Sequence, residues 1–290
     1  MFPSRFEFVA ATTVAEAVEA KVAAGEGGRF LAGGQSLLPM MKMRVAFPDT
    51  LIDINGVAGL DAIGRSNGHL QVGALVRHAD VVASDATFGA VAAAAPWVAD
   101  PLVRNRGTMC GSVAHCDPEG DWNSVLLATG AEVMAQGPGG QRSIPIGEFV
   151  DGAFTSTLAE DEMVVGLRIP VPAGRAGGAY LKLERKIGDY ATVAVATHLE
   201  LDDAGAIAGA GLALTSVNPV NTKVTDAEAL LVGQSPSEEL FAEAAELAVA
   251  AAEPRDDVRG TAAWKRQVVR TYTRRGLAAA AQQANENQGS

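Results

Sequence analysis

Apolar residues recur along this chain with two different periods, and the switches between them outline its elements. Val14, Val18 and Val22 stand at helical spacing behind Thr13-Val14-Ala15-Glu16, a hydroxyl with a glutamate three residues on, and Gly25 ends the pattern. That predicts a helix of about three turns. Residues 29–32 read as a short buried strand delivering a Gly33-Gly34 turn, 37–45 (broken by Pro39) as a short helix, and 51–54 as a second strand. Helix, strand, glycine turn, helix, strand is an α/β order, in which ligands sit at the carboxyl ends of strands. Residues 60–75 predict a hairpin turning at Ser66-Asn67-Gly68, and 77–84 and 87–95 predict helices. A further helix starts near Asp121; 132–135 and 143–146 are strands joined through Gly137-Pro138-Gly139-Gly140, and 162–170 holds another. Residues 170–178, rich in proline and glycine, predict a linker. Beyond it 179–184, 192–201 and 207–215 read as strands, and after Pro219 the chain turns helical. Ser235-Pro236-Ser237-Glu238 places an N-cap at Ser235 for a helix to about 252; another runs from about 261 to 283, and the polar end 285–290 reads as frayed.

Composition narrows the classes. A chain of 290 residues is more natural as two or three subdomains. Hydrophobic residues make up 48% but aromatics only 5%, so alanine and aliphatic side chains must fill the core. A net charge of −11 argues against nucleic acid, which needs basic patches, and against an anionic membrane surface. Two cysteines, Cys110 and Cys116, are too few for a disulfide framework and too few to hold an iron–sulfur cluster. The first residues lack the charged and apolar regions of a signal peptide, and the most apolar stretch, 88–98, is short and interrupted by Pro96, so no transmembrane segment is expected. The expectation is a cytoplasmic protein.

Candidate chemistry concentrates between Arg106 and Asp121: Arg106-Gly107-Thr108-Met109-Cys110-Gly111-Ser112-Val113-Ala114-His115-Cys116-Asp117-Pro118-Glu119-Gly120-Asp121. Small residues let a backbone approach a ligand, and successive N–H groups form a concave anion site. Asp121 reads equally as a helix cap or as an acceptor for a sugar hydroxyl, and the roles are compatible. Leu31-Ala32-Gly33-Gly34-Gln35-Ser36-Leu37 has the same character. The pair suggests one dinucleotide held from both sides, while Gly33-Gly34 alone also reads as a plain turn. The spacing is not G-x-G-x-x-G, so a Rossmann site is not supported. His115, Cys116 and Asp117 adjoin, but adjacent residues rarely converge on one ion, and no metal is expected. His115 as a base for Cys116 stands against the commoner reading of a buried packing thiol. With no G-x-S-x-G elbow either, no catalytic acid, base or nucleophile is assigned. Lys182, Arg185 and Lys186 lead to Gly188-Asp189-Tyr190, either as a solvated strand edge or as cationic support for an anion, with Tyr190 offering a flat face to an aromatic ring.

Together these segments resemble the flavoprotein (medium) subunit of the molybdenum hydroxylase family over nearly the whole chain. The resemblance runs through Phe6-Glu7-Phe8, Ala32-Gly33-Gly34-Gln35-Ser36-Leu37-Leu38-Pro39-Met40-Met41-Lys42, Ala99-Asp100-Pro101, the Thr108 to Asp121 stretch and Arg168-Ile169-Pro170. Lys182-Leu183-Glu184-Arg185-Lys186-Ile187-Gly188-Asp189-Tyr190-Ala191-Thr192 is closest to the carbon monoxide dehydrogenase branch. It implies an α+β protein: two α/β subdomains of the vanillyl-alcohol oxidase (PCMH)-type FAD-binding fold, 1–57 and 58–173, and a C-terminal α+β domain, 174–290, with a three-stranded sheet and helices. It implies non-covalent FAD, its pyrophosphate on the backbone of Ala32, Gly33, Gly34, Gln35, Ser36 and Leu37, with Thr108, Met109, Cys110, Gly111 and Ser112 as the opposing loop. His115 falls at a further FAD contact, Asp121 at the ribose, Val164 at an apolar contact, Lys182 near the flavin and Tyr190 beside the isoalloxazine. Two positions depart: Cys110 replaces the first glycine of T-x-G-G, strained if its φ is positive, and Gln35 stands where the carbon monoxide branch commonly has histidine. The implied role is electron transfer from a small [2Fe–2S] subunit to a quinone or other acceptor. The large subunit with the molybdenum cofactor oxidises the substrate, in a dimer of heterotrimers that its partners can hold at the inner face of the membrane. Carbon monoxide is the first substrate expected, with aldehyde, xanthine or N-heterocycle dehydrogenases as alternatives and a stand-alone flavin oxidase or a cofactor-free scaffold as rivals.

Overall fold

Three main sheets follow one another along the chain, each with its own helices, in a computed structural model that describes residues 2–287. Met1 of the N-terminus and residues 288–290 of the polar end lie outside the described residues. The first sheet is parallel, in the order β1-β3-β2, from β1 (Glu7–Ala10), β2 (Gly28–Leu31) and β3 (Thr50–Asp53). The apolar pattern did not announce β1, because it is an edge strand with all four residues exposed. Helix α1 (Val14–Ala24) carries the expected capping box, Glu16 N–H donating to Thr13 Oγ1 at 3.1 Å. Its inward face, however, is Ala17, Val18 and Lys21, and Val22 points outward. Helix α2 (Leu37–Lys42) begins at the carboxyl end of β2, just past the glycine turn.

The second sheet is antiparallel, ordered β4-β5-β10-β6-β7, from β4 (Ile63–Ser66), β5 (His69–Gly73), β6 (Glu132–Gly137), β7 (Gly140–Pro145) and β10 (Met163–Pro170). The hairpin turns where expected, with Asn67 at φ 51° and Gly68 at φ 74°, the paired positive values of a type I′ turn. Between β5 and β6 lie α3 (His78–Ala83), α4 (Gly89–Ala94), α5 (Pro101–Arg104), α6 (Met109–His115) and α7 (Asp121–Thr129). Every residue of α7 is buried, which makes it the axis of the molecule. A short α8 (Ile146–Phe149) and a small hairpin, β8 (Val150–Gly152) with β9 (Thr155–Ser156), complete this part.

The third sheet, β11-β12-β13-β14, is antiparallel: β11 (Arg175–Leu183), β12 (Val193–Leu201), β13 (Ile207–Thr215) and β14 (Thr222–Lys223). The three expected strands are present and β14 adds a two-residue edge. The expected linker shrinks to residues 171–174, because Gly177 and Gly178 belong to β11. They are glycines for a packing reason: a Cβ on Gly177 would lie 2.1 Å from the Ala280 carbonyl oxygen, and one on Gly178 2.5 Å from Ala90 N. Helices α9 (Thr225–Leu231), α10 (Glu238–Ala251) and α11 (Ala262–Glu286) follow. The cap of α10 is Ser237, whose Oγ accepts from Leu240 N at 3.1 Å, so Ser235 is not the cap. The end of α11 is tied down rather than frayed through residue 287: Asn285 Nδ2 donates to Ala281 O at 3.0 Å and Asn287 Nδ2 to Ala176 O at 2.9 Å.

Strand β12 is buried on both faces and its composition alternates accordingly. Val193, Val195 and Leu199 join the core under α10 and α11, whereas Ala194 and Ala196 face the core shared with α4 and α7. The helices come so close on that side that only small residues fit; a Cβ on Gly211 would lie 1.7 Å from the Ala128 carbonyl oxygen.

Candidate functional site

Two loops from different sheets meet backbone to backbone. The chain leaves β2 at Leu31 and turns through Gly33 and Gly34, the latter at φ 71°. A Cβ on Gly33 would stand 2.3 Å from the Arg106 carbonyl oxygen and 2.7 Å from Gly107 Cα, so this position admits only glycine. Gly107 is held in turn by His78, whose N–H donates to its carbonyl at 3.0 Å and whose Nε2 lies 3.0 Å from where a Cβ would be. The backbone N–H groups of Gly33, Gly34, Gln35 and Ser36 donate to no acceptor among the described residues. Unspent donors on a glycine-lined turn are what an anion requires.

The opposing segment, expected as a loop, is the start of helix α6. Thr108 is its N-cap, with Oγ1 accepting from Gly111 N at 3.1 Å. Cys110 therefore has helical φ and carries no strain from replacing a glycine. Its thiol is buried over β5, 3.5 Å from the Gly73 carbonyl oxygen, and burial pushes it far above the ordinary thiol range. Cys116 ends α6 in the left-handed conformation at φ 52°, and burial raises its thiol to about 12. Both are packing residues; neither is a thiolate nucleophile at neutral pH. Among the described residues, no three His, Cys, Asp or Glu side chains gather as a metal site.

Asp121 does not cap α7, since Gly120 holds that place without a side-chain bond. Its carboxylate is used across domains instead: Oδ1 accepts from the Tyr180 hydroxyl at 2.6 Å and Oδ2 from Lys182 Nζ at 3.1 Å. Lys182 is therefore no solvated edge; it is buried, also donating to the Trp97 carbonyl at 3.0 Å, with Glu184 Oε2 at 3.6 Å. Burial pushes the Asp121 carboxyl up, against the lowering by Lys182 and Tyr180. Tyr180 and Lys182 share one face of β11 at the period of two and Glu184 follows just past its end, a polar alternation visible in the sequence whose partner is not.

The segment after β11 folds back over the second part. A Cβ on Gly188, at φ 81°, would lie 3.0 Å from Asp100 N, and Arg259 reaches Glu119 at 2.8 Å and the Ala191 carbonyl at 3.3 Å. Tyr190 is half-exposed, and burial together with the neighbouring Asp117 carboxyl raises its hydroxyl to about 12. His115 packs against Phe154 with ring centroids 5.2 Å apart, and burial lowers its imidazole. The structure thus gathers Gly33–Ser36 with Arg106–Thr108, and Asp121 with Lys182, while Tyr190 and His115 flank Asp117 and Cys116. Val164 lies in the core on β10, the strand that packs against α6. Sequence reasoning missed Tyr180, Asn55 and Arg77. Asn55 donates to the Ala32 carbonyl and Arg77 to that of Arg106, contacts for which the linear chain gives no sign.

Comparison with known proteins places this geometry in context. Residues 4–172 match the family model of the FAD binding domain in molybdopterin dehydrogenase, and 178–280 match the CO dehydrogenase flavoprotein C-terminal domain. The chain is 37% identical to a carbon monoxide dehydrogenase medium chain of Hydrogenophaga pseudoflava, over 97% of this chain and 98% of that one. It is 35% identical to a 6-hydroxypseudooxynicotine dehydrogenase complex subunit alpha of Paenarthrobacter nicotinovorans, over 98% of this chain and 97% of that one. The solved carbon monoxide dehydrogenase of Hydrogenophaga pseudoflava superimposes with a TM-score of 0.93 at 38% identity, covering 98% of this chain and 99% of that chain.

Proposed function

The chain belongs to the FAD-binding flavoproteins of the molybdopterin dehydrogenases, the molybdenum hydroxylase family, and on that premise we propose that it serves carbon monoxide oxidation as the electron-transfer subunit of such a complex. It is an oxidoreductase subunit. The observation that carries the site is the meeting of Gly33 with Arg106 and Gly107 beside a turn of unspent N–H donors. Bound without a covalent link, FAD supplies the redox chemistry, and the chain supplies binding, orientation and electrostatics.

The backbone from Ala32 to Leu37 holds the diphosphate from one side and Thr108, Met109, Cys110, Gly111 and Ser112 from the other. Asp121 keeps a lone pair on each oxygen beyond those used by Tyr180 and Lys182, enough for a ribose hydroxyl. Lys182 brings a fixed, desolvated positive charge toward the flavin, Tyr190 lays its ring beside it, and His115 and Val164 complete the contacts. We set the domain boundaries at 57/58 and 173/174.

Electrons reach this FAD from a [2Fe–2S] partner, with substrate oxidised on a molybdenum-containing one; the chain's own two cysteines are buried and too few for a cluster. A dimer of heterotrimers, a quinone acceptor and a cytoplasmic place at the inner face of the membrane belong to the same proposal. Among the described residues no helix is long and apolar enough to cross a membrane. The 35% identity to the 6-hydroxypseudooxynicotine dehydrogenase subunit, together with Gln35, favours an N-heterocycle as the second reading of the substrate.

Purification from native extract tests the whole. The expected result is a yellow complex with molybdenum and iron–sulfur subunits that oxidises carbon monoxide, and acid releases the flavin. A colourless chain that takes up no added FAD overturns the cofactor reading, and a complex active only on N-heterocycles overturns the carbon monoxide branch.

A further inference from the structure

Asn55 and Arg77 stand outside every segment discussed for FAD, yet they join the two loops across the boundary between the first and second sheets. Arg77 Nη1 donates to the Arg106 carbonyl at 2.6 Å, and its Nη2 donates to Asn55 Oδ1 at 2.6 Å. Asn55 Nδ2 donates to the Ala32 carbonyl at 2.9 Å, and Asp53 Oδ1 holds the amide by accepting from Asn55 N at 3.0 Å and Nδ2 at 2.6 Å. The guanidinium is itself placed by its own backbone: Arg77 N donates to Asp80 Oδ2 at 3.0 Å, and Arg77 bridges to Thr108 across a short antiparallel pairing.

The two carbonyls so engaged are those immediately before Gly33 and Gly107, the residues that touch. A trans peptide points its C=O and N–H in opposite directions. Fixing the Ala32 carbonyl toward Asn55 therefore turns the Gly33 N–H to the opposite side of the loop, where no acceptor among the described residues meets it. The fork of one guanidinium sets the gap, since a planar group with fixed N–H directions spans only one separation of its two acceptors.

We infer that Arg77 and Asn55 are positioning residues: a hydrogen-bonded staple that fixes the spacing and peptide orientation of the two loops and thereby the affinity for a diphosphate-linked dinucleotide. The role rests on the FAD reading above. Both act through the backbone of Ala32 and Arg106, whose carbonyls they hold.

The test is titration of the full-length, flavin-free chain with FAD and, separately, with ADP. Arg77→Ala and Asn55→Ala are each expected to weaken both ligands about tenfold. The double variant is no weaker than Arg77→Ala alone, because the two side chains form one link. Arg77→Lys, which reaches one acceptor but not both, falls between. A purely structural role would lower the melting temperature of the flavin-free chain and leave the affinity of the folded protein unchanged. Asn55 is exposed and lies in no helix or strand, so its variant decides the matter should Arg77→Ala fail to fold. Binding of FAD and ADP within twofold of wild type by Asn55→Ala overturns the staple alone; a wild-type chain that binds neither overturns the FAD reading and the staple with it.

Discussion

His78 shows how one side chain can tie a binding loop to the core. Its Nδ1 accepts from Trp122 Nε1 at 3.1 Å, its own N–H carries the Gly107 carbonyl, and burial with Arg104 and Arg77 nearby lowers its imidazole to about 4. The unfolded chain takes up that proton near pH 6.5, so the folded state binds fewer protons between there and pH 4. Stability is therefore whole above about pH 6.5 and falls as the pH drops through this window, by a total on the order of 3 kcal/mol from this group. Imidazole nitrogen shifts in NMR are expected to show His78 still neutral at pH 5. The two thiols give a second expectation. Raised by burial and shielded from solvent, Cys110 and Cys116 should resist alkylation at pH 8 in the native chain, and both should react once it is denatured. Rapid labelling of either in the native state would contradict their packing role.

Among the elements, helix starts separate what a motif suggests from what a fold uses. Thr13, Thr108, Ser237 and Thr261 each accept from a backbone N–H in the first turn, at α1, α6, α10 and α11. At α10 the sequence offers two serines, and the structure uses the one after the proline. Ser237→Ala is expected to lower stability by about 1 kcal/mol in a urea titration, while Ser235→Ala leaves it within error. Strand β12 makes the complementary point about strands. Valine and leucine on one face against alanine on the other reflect two neighbours at different distances, not a solvent side.

At the scale of the molecule, the third sheet is locked onto α7 by close approach, a hydrogen bond and an ion pair. Gly211 packs against the Ala128 carbonyl, Ser124 and Thr215 share a hydrogen bond at 2.5 Å, and Lys182 joins Asp121. The candidate site includes side chains from this contact, so cofactor binding and docking of the third sheet are one problem. Gly211→Ala is expected to cost on the order of 2 kcal/mol and to split a single calorimetric transition into two, because the added methyl meets backbone that cannot give way. A single transition at an unchanged temperature would show that this contact does not couple the parts.

The linear chain by itself determined the short-range features: the capping box at Thr13, the hairpin at Asn67-Gly68, the glycine turn after β2, the succession of the longer strands, and a cysteine count too low for a cluster. Each depends on neighbours within a few residues or on composition, and so is written locally. Only the tertiary structure decided that Thr108 opens a helix rather than a loop and that Asp121 serves Lys182, 61 positions away, instead of capping α7. It likewise decided that Asn55 and Arg77 bridge two loops and that β1 is a strand at all. In every such case the partner is distant in sequence. Which of several polar groups a side chain satisfies is fixed by who else is buried beside it.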